Sequence, residues 1–94
     1  MTFEWDEQKS KANLEKHGVS FEEACHIFEG DVLTWKDDRN DYQEVRQISI
    51  GSLAKTLFFV VVHTDRSGNI RIISARKANK RERRLYDEYL KAAP

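Results

Sequence analysis

The chain is poor in the residues that usually advertise a protein's compartment or cofactor. It has one cysteine, Cys25, which excludes an internal disulfide and any zinc site built from several thiolates. Its only proline is the last residue, Pro94, and no linker, repeat or low-complexity tract divides the sequence, so residues 1–94 read as a single domain. Long hydrophobic runs are also missing. The longest, Leu57 to Val62, is far short of the roughly 20 residues that cross a bilayer. The opening MTFEWDEQKSK carries early acids and no apolar h-region, unlike a signal peptide. A cytoplasmic protein without membrane association is the expectation. There is no glycine-rich phosphate loop, nucleophile elbow or carboxylate triad, and no two histidines share a ligand spacing such as H-x₃-H. Neither a metal nor a cofactor is therefore expected.

What the chain does have is charge. Apolar residues make up 39%, enough to collapse, and charged residues 34%, so a compact fold must carry a very polar surface. Formal net charge is zero, yet the two halves differ sharply. Met1 to Glu44 holds twelve acids against five bases, a balance of −7, whereas Val45 to Pro94 holds eleven bases against four acids, a balance of +7. Such a split either creates one positive region suited to a polyanion or neutralises itself when the halves pack together.

Local signals predict an α+β domain. A first helix is expected from Glu7 to His17, with Asp6 as N-cap and Gly18 as terminator. Its one strong apolar residue beyond alanine is Leu14, so it reads as mostly solvated. A second helix is expected from Ser20, spaced from Glu23 as in a capping box, to Phe28. Four strand-like segments follow: Val32 to Trp35, Tyr42 to Ile50, Thr56 to Thr64 and Ile70 to Arg76, with a polar loop from Lys36 to Asp41. TLFFVVVHT is apolar on both faces, as a central strand covered on both sides must be. A last helix opens at Asn79 with Leu85, Tyr86, Tyr89 and Leu90 as its apolar stripe. Short connections favour a four-stranded antiparallel sheet, preceded by two helices and followed by one.

The basic stretch RIISARKANKRERRLY divides by position. Arg83 and Arg84 stand four residues before Asp87 and Glu88 and read as ordinary helix surface. Arg76, Lys77, Lys80 and Arg81 crowd the junction between a strand and a helix N-terminus, which already carries partial positive charge. They repel one another unless an anion settles among them, and a phosphate is the natural occupant. Glu82 reads either as the partner of Asn79 in a capping box or as a partly desolvated carboxylate able to act as base or orienter. His63 reads either as a satisfied structural residue or as a general acid or base. His17, beside Gly18, is read as complementing a helix dipole, and His26 as surface. Phe3, Trp5, Trp35 and Tyr89 read as core aromatics, with Tyr86 set apart as able to stack on a base. Arginines with a histidine and a carboxylate suit RNA cleavage by the substrate's own 2′-hydroxyl, a nucleophile that DNA lacks.

Three segments, FEWDEQKSKANLEKHGVSFEEA, FFVVVHT and RIISARKANKRERRLY, resemble in order the BrnT family of bacterial toxins. The resemblance implies a RelE-like fold and an endoribonuclease that blocks translation, and the residues read above would need no metal for it. It also implies a type II toxin–antitoxin pair, with a BrnA-type antitoxin that neutralises the toxin and carries the complex to operator DNA, and room for a toxin dimer in that complex. The basic and polar motif residues it implies for catalysis are His63, Arg71, Arg76, Glu82 and Tyr86; Lys77, Lys80 and Arg81, from the anion site read above, are expected on the RNA. The alternative is a non-catalytic module whose basic patch holds nucleic acid or an acidic partner.

Overall fold

A computed structural model describes residues 2–39 and 43–92. It confirms an α+β domain, but the sheet has five strands and is mixed, not four and antiparallel. The strands are β1 (Thr2–Glu4), β2 (Leu33–Lys36), β3 (Gln47–Leu53), β4 (Leu57–Arg66) and β5 (Asn69–Lys77). Their order across the sheet is β1-β5-β4-β3-β2, with β1 parallel to β5 and all other neighbours antiparallel. The unforeseen β1 is only three residues long, too short for alternation to reveal it. It adds to β5 through Phe3, which sits opposite Ile70 and packs on the core. The strand expected from Tyr42 starts at Gln47, and Asn40, Asp41 and Tyr42 lie outside the described residues.

Helix α1 (Glu7–His17) begins and ends where its caps require. Asp6 accepts the N–H groups of Gln8 and Lys9, and Gly18 takes the left-handed conformation at φ 74°. The second helical segment is less regular than expected: α2 (Phe21–Ala24), capped by Ser20, tightens into a 3₁₀ turn, Cys25–Glu29. This turn lies against β3 at Gly51, where an added Cβ would fall 2.7 Å from the Cβ of Ile27. Helix α3 (Lys80–Ala92) closes the chain.

The two faces of the sheet are covered unequally. On the first, α1, α2 and the 3₁₀ turn enclose Val19, Phe21, Ala24, Ile27, Phe59, Val61, Ile72 and Ala75. On the second, α3 alone packs Tyr86 against Ile48, Ile50 and Val60. Central β4 feeds both cores, as its two-faced apolar run predicts.

Helix α1 is mostly solvated, as expected, and it docks through polar groups instead of apolar ones. Leu14 is the exposed residue, whereas Ser10 and Asn13 are buried. Ser10 accepts the N–H of Phe21 at 3.0 Å. The Asn13 amide donates to the carbonyls of Val19 and Ala75, both at 2.8 Å, and its oxygen accepts the Ala75 N–H at 3.2 Å. Asn13 thus satisfies the edge of β5 beyond the end of β1, as a neighbouring strand would. Replacing it orphans three buried backbone groups, each costing about 1–3 kcal/mol. Asn13→Ala is expected to lower stability by about 3 kcal/mol or more in urea unfolding, while Leu14→Ala shifts the midpoint little.

Candidate active site

An irregularity in β5 decides which residues meet. Val62 pairs with Ser74 but His63 with Ile72, so Ile73 is an extra residue, a bulge. Before it, Ile70 and Ile72 face the first core; after it, Ala75 does. Ser74 and Arg76 are thereby turned to the second face, where α3 leaves the sheet open. The result is a cleft of about 410 Å³ lined by His17, Trp35, Arg39, Ile48, Val60, Val62, Ser74, Ala75, Arg76 and Glu82.

Arg76 and Glu82 form the cleft's fixed charge pair. The guanidinium donates through Nη1 to Glu82 Oε1 at 2.8 Å and through Nη2 to Oε2 at 2.7 Å, in bidentate geometry. Glu82 Oε1 also accepts the Asn79 N–H at 2.9 Å, and Asn79 Oδ1 accepts the Glu82 N–H at 2.8 Å. The two sequence readings of Glu82 thus combine, since the capping carboxylate is also the half-buried partner of an arginine. Hydrogen bonding to Arg76 holds the Glu82 carboxyl below the usual carboxylate range, and the same bond raises Arg76. The lowered pKa favours the carboxylate form of Glu82, and both of its oxygens are occupied. Arg76 gives another Nη1 bond to the Lys77 carbonyl at 3.3 Å. That leaves its Nε–H and one Nη2–H without a partner among the described residues.

Arg39 reaches the cleft from the loop after β2, held by a second bidentate bond, Nε to Asp37 Oδ1 at 2.8 Å and Nη2 to Oδ2 at 2.9 Å. Its charge is close enough to act against that of Arg76. His17 arrives one turn after Asn13 on α1, so the clamp on β5 also positions the imidazole. Trp35 stands on β2 with 40% of its surface exposed and is not the core residue expected.

The other expected site residues lie elsewhere. His63 is 3% exposed on the first face, edge-on to Phe28, and its Nε2 meets Ser49 Oγ at 2.7 Å, which in turn meets Thr34 Oγ1 at 2.7 Å. Its Nδ1 is buried with no partner among the described residues. Arg71 pairs with Glu4 at 2.9 Å, about 15 Å along β5 from Arg76. Tyr86 is buried against Phe58 and donates its hydroxyl to the Asp31 carbonyl at 2.7 Å. Lys77, Lys80 and Arg81 are exposed around the strand-to-helix junction. Arg83 turns its guanidinium over the Phe58 ring at 4.5 Å. His17, Trp35 and Arg39 line the cleft although the sequence did not single them out for it. For His17 a signal existed: Ser10, Asn13 and His17 form a polar stripe at helical spacing. For Trp35 and Arg39 only the tertiary fold brings them to the cleft.

Fold and cleft define a small α+β domain with a cation-rimmed, part-apolar groove, the kind of surface that takes a phosphate-bearing chain. The family described as ribonuclease toxin, BrnT, of type II toxin–antitoxin systems matches residues 5–82. The chain belongs to the BrnT family. The crystal structure of the Brucella abortus ribonuclease toxin BrnT superposes with a TM-score of 0.62 at 23% identity, covering 85% of this chain and 99% of that one. No curated protein sequence matches the chain. No helix among the described residues is long and apolar enough to cross a membrane.

His63 makes stability pH-dependent. Burial pushes its pKa down from the ordinary 6.5, against a smaller opposing effect of Asp65. As pH falls through about 6.5 the unfolded chain takes up a proton that the native imidazole resists, so stability present above that pH is lost below it. Denaturant melts between pH 7 and 5 should show this loss, at most about 1.4 kcal/mol per pH unit. The His63→Gln variant should show a flatter profile.

Proposed function

We propose that this chain is a metal-independent endoribonuclease whose reaction takes place in the Arg76–Glu82 cleft. The substrate's 2′-hydroxyl attacks the adjacent phosphorus. An O2′–P bond forms, the P–O5′ bond breaks, and the products are a 2′,3′-cyclic phosphate and a 5′-hydroxyl. The proton leaves the 2′-oxygen for a base, and the departing 5′-oxygen takes one from an acid.

Arg76 carries this reading, because it offers two unengaged N–H groups to the cleft from a guanidinium fixed by Glu82. Donors aimed in advance at developing charge need no reorganisation as the phosphorane forms. Arg39, held in the same manner by Asp37, adds a second cation. His17 is the imidazole in the cleft and takes the proton-transfer role for which the sequence offered His63. Arg71, His63 and Tyr86 support the fold in this reading, while Lys77, Lys80 and Arg81 meet flanking phosphates. Cutting messages would block translation, and an antitoxin of the BrnA type would neutralise the toxin by covering the cleft. Operator DNA would be reached through that antitoxin, with toxin copies paired in the complex.

Purified protein is expected to cleave RNA in EDTA and spare DNA of the same sequence. Arg76→Ala should lower kcat by roughly 10²–10³-fold with the fold intact by circular dichroism. His17→Ala should cause a comparable loss. Tight RNA binding without cleavage by the unaltered protein would favour the non-catalytic module instead.

A further inference from the structure

Strand register lays the cleft out as two rows of side chains on the second face. One runs Trp35, Ile48, Val62, Ser74 across β2, β3, β4 and β5; the next runs Leu33, Ile50, Val60, Arg76. The first row begins with an exposed indole and ends with a hydroxyl. Trp35 therefore lies three strand spacings from β5, about 14 Å between backbones. Trp35 and Arg76 both line the cleft across that gap, over a floor of Ile48, Val60 and Val62. Trp35 has no aromatic partner among the described residues, although the other tryptophan, Trp5, is edge-on to Phe21. A large apolar ring left exposed beside two arginines, over an aliphatic floor, matches a nucleotide in parts: a flat apolar base, then a phosphate.

We propose that Trp35 is a specificity-determining residue, on which an unpaired base stacks while its phosphate reaches Arg76, so that the cleft takes single-stranded RNA and excludes duplex. This rests on the reading of the cleft as the RNA site. Stacking is open to any base, because each has a π-face, but a base in a duplex is stacked on both sides by its neighbours and cannot lie against the indole. Trp35 thus selects strandedness, whereas Arg76 and Arg39 attract phosphate of either form.

The probe is a short mixed-sequence RNA made uncleavable by 2′-O-methyl groups, offered single-stranded or annealed, with tryptophan fluorescence as readout. In a Trp5→Phe background, where Trp35 is the sole indole, the single strand is expected to quench emission and the duplex to do so far less. Trp35→Leu should weaken single-strand binding, followed by anisotropy of a labelled strand, on the order of tenfold, and Trp35→Phe should retain most of it. Equal binding of single strand and duplex, or unchanged affinity in a folded Trp35→Leu variant, would overturn the proposal. So would the absence of quenching in the Trp5→Phe protein, a measurement that stands even if Trp35→Leu does not fold. Quenching by the probe alongside failure to cleave unmodified RNA would leave the stacking intact and sink the ribonuclease reading. RNA cleavage with no effect of Trp35 on strand preference would do the reverse.

Discussion

One extra residue in β5 governs this molecule. In a regular strand Arg71 and Arg76, five apart, would point to opposite faces, and Arg76 would project into the core formed with α1 and α2. The bulge at Ile73 shifts the alternation, so that Ile70 and Ile72 before it and Ala75 after it all face that core. Arg76 is left on the open face. No charge is buried and no apolar residue exposed by the shift, since it exchanges positions that each suit their new surroundings. The Arg76–Glu82 pair and the cleft below it follow from this parity change. It also separates them from His63, which belongs to β4 and remains on the first face.

The same part of β5 is an edge, because β1 pairs only with its first three residues. An unpaired edge must be satisfied or covered. Asn13 does both, using one amide to donate to and accept from Ala75. That requirement explains why α1 shows a polar inner stripe where an apolar one would be usual. A leucine at Asn13 would bury more carbon and leave the backbone of Ala75 unpaired, a poor exchange. Helical spacing then carries the consequence to the cleft, since the residue four places after Asn13 is His17. The clamp that closes the sheet edge therefore sets the position of the imidazole.

These links also explain which features could be read from the sequence. Asp6, Gly18, Ser20 and the Asn79–Glu82 box were legible because capping is local and depends on a few residues at fixed offsets. Central β4 was legible because burial on two faces leaves an uninterrupted apolar run. Strand β1 was not, since three residues carry no periodicity, and the bulge was not, since nothing in RIISARK marks which residue is unpaired. Which expected site residues come together depends on both. His63, Arg71 and Tyr86 were grouped with Arg76 by family resemblance, whereas the fold puts His63 on the other face of the sheet, Arg71 five residues back along β5 and Tyr86 buried beneath α3. Trp35, read as core because aromatics in small domains usually are, is exposed because a single thirteen-residue helix cannot cover the second face.

The junction of β5 and α3 shows how a site can hold positive charge without destabilising its scaffold. Arg76, Lys77, Lys80 and Arg81 gather at a helix N-terminus, where the macrodipole is unfavourable to cations. Glu82 relieves this with one carboxylate, which caps the first turn through Asn79 and binds the guanidinium through both oxygens. The pair is close to neutral, so the folded protein tolerates it without a bound anion. Yet a carboxylate engages only one edge of a guanidinium, and Arg76, which lines the cleft, keeps two donors without a partner among the described residues. A lysine at position 76 would place its charge at a single point beside Glu82 and leave no such fork. Arg39 repeats the arrangement with Asp37. Both cations are thus held still by the fold itself, and in the function proposed above an incoming phosphate would meet donors whose ordering was completed when the chain folded.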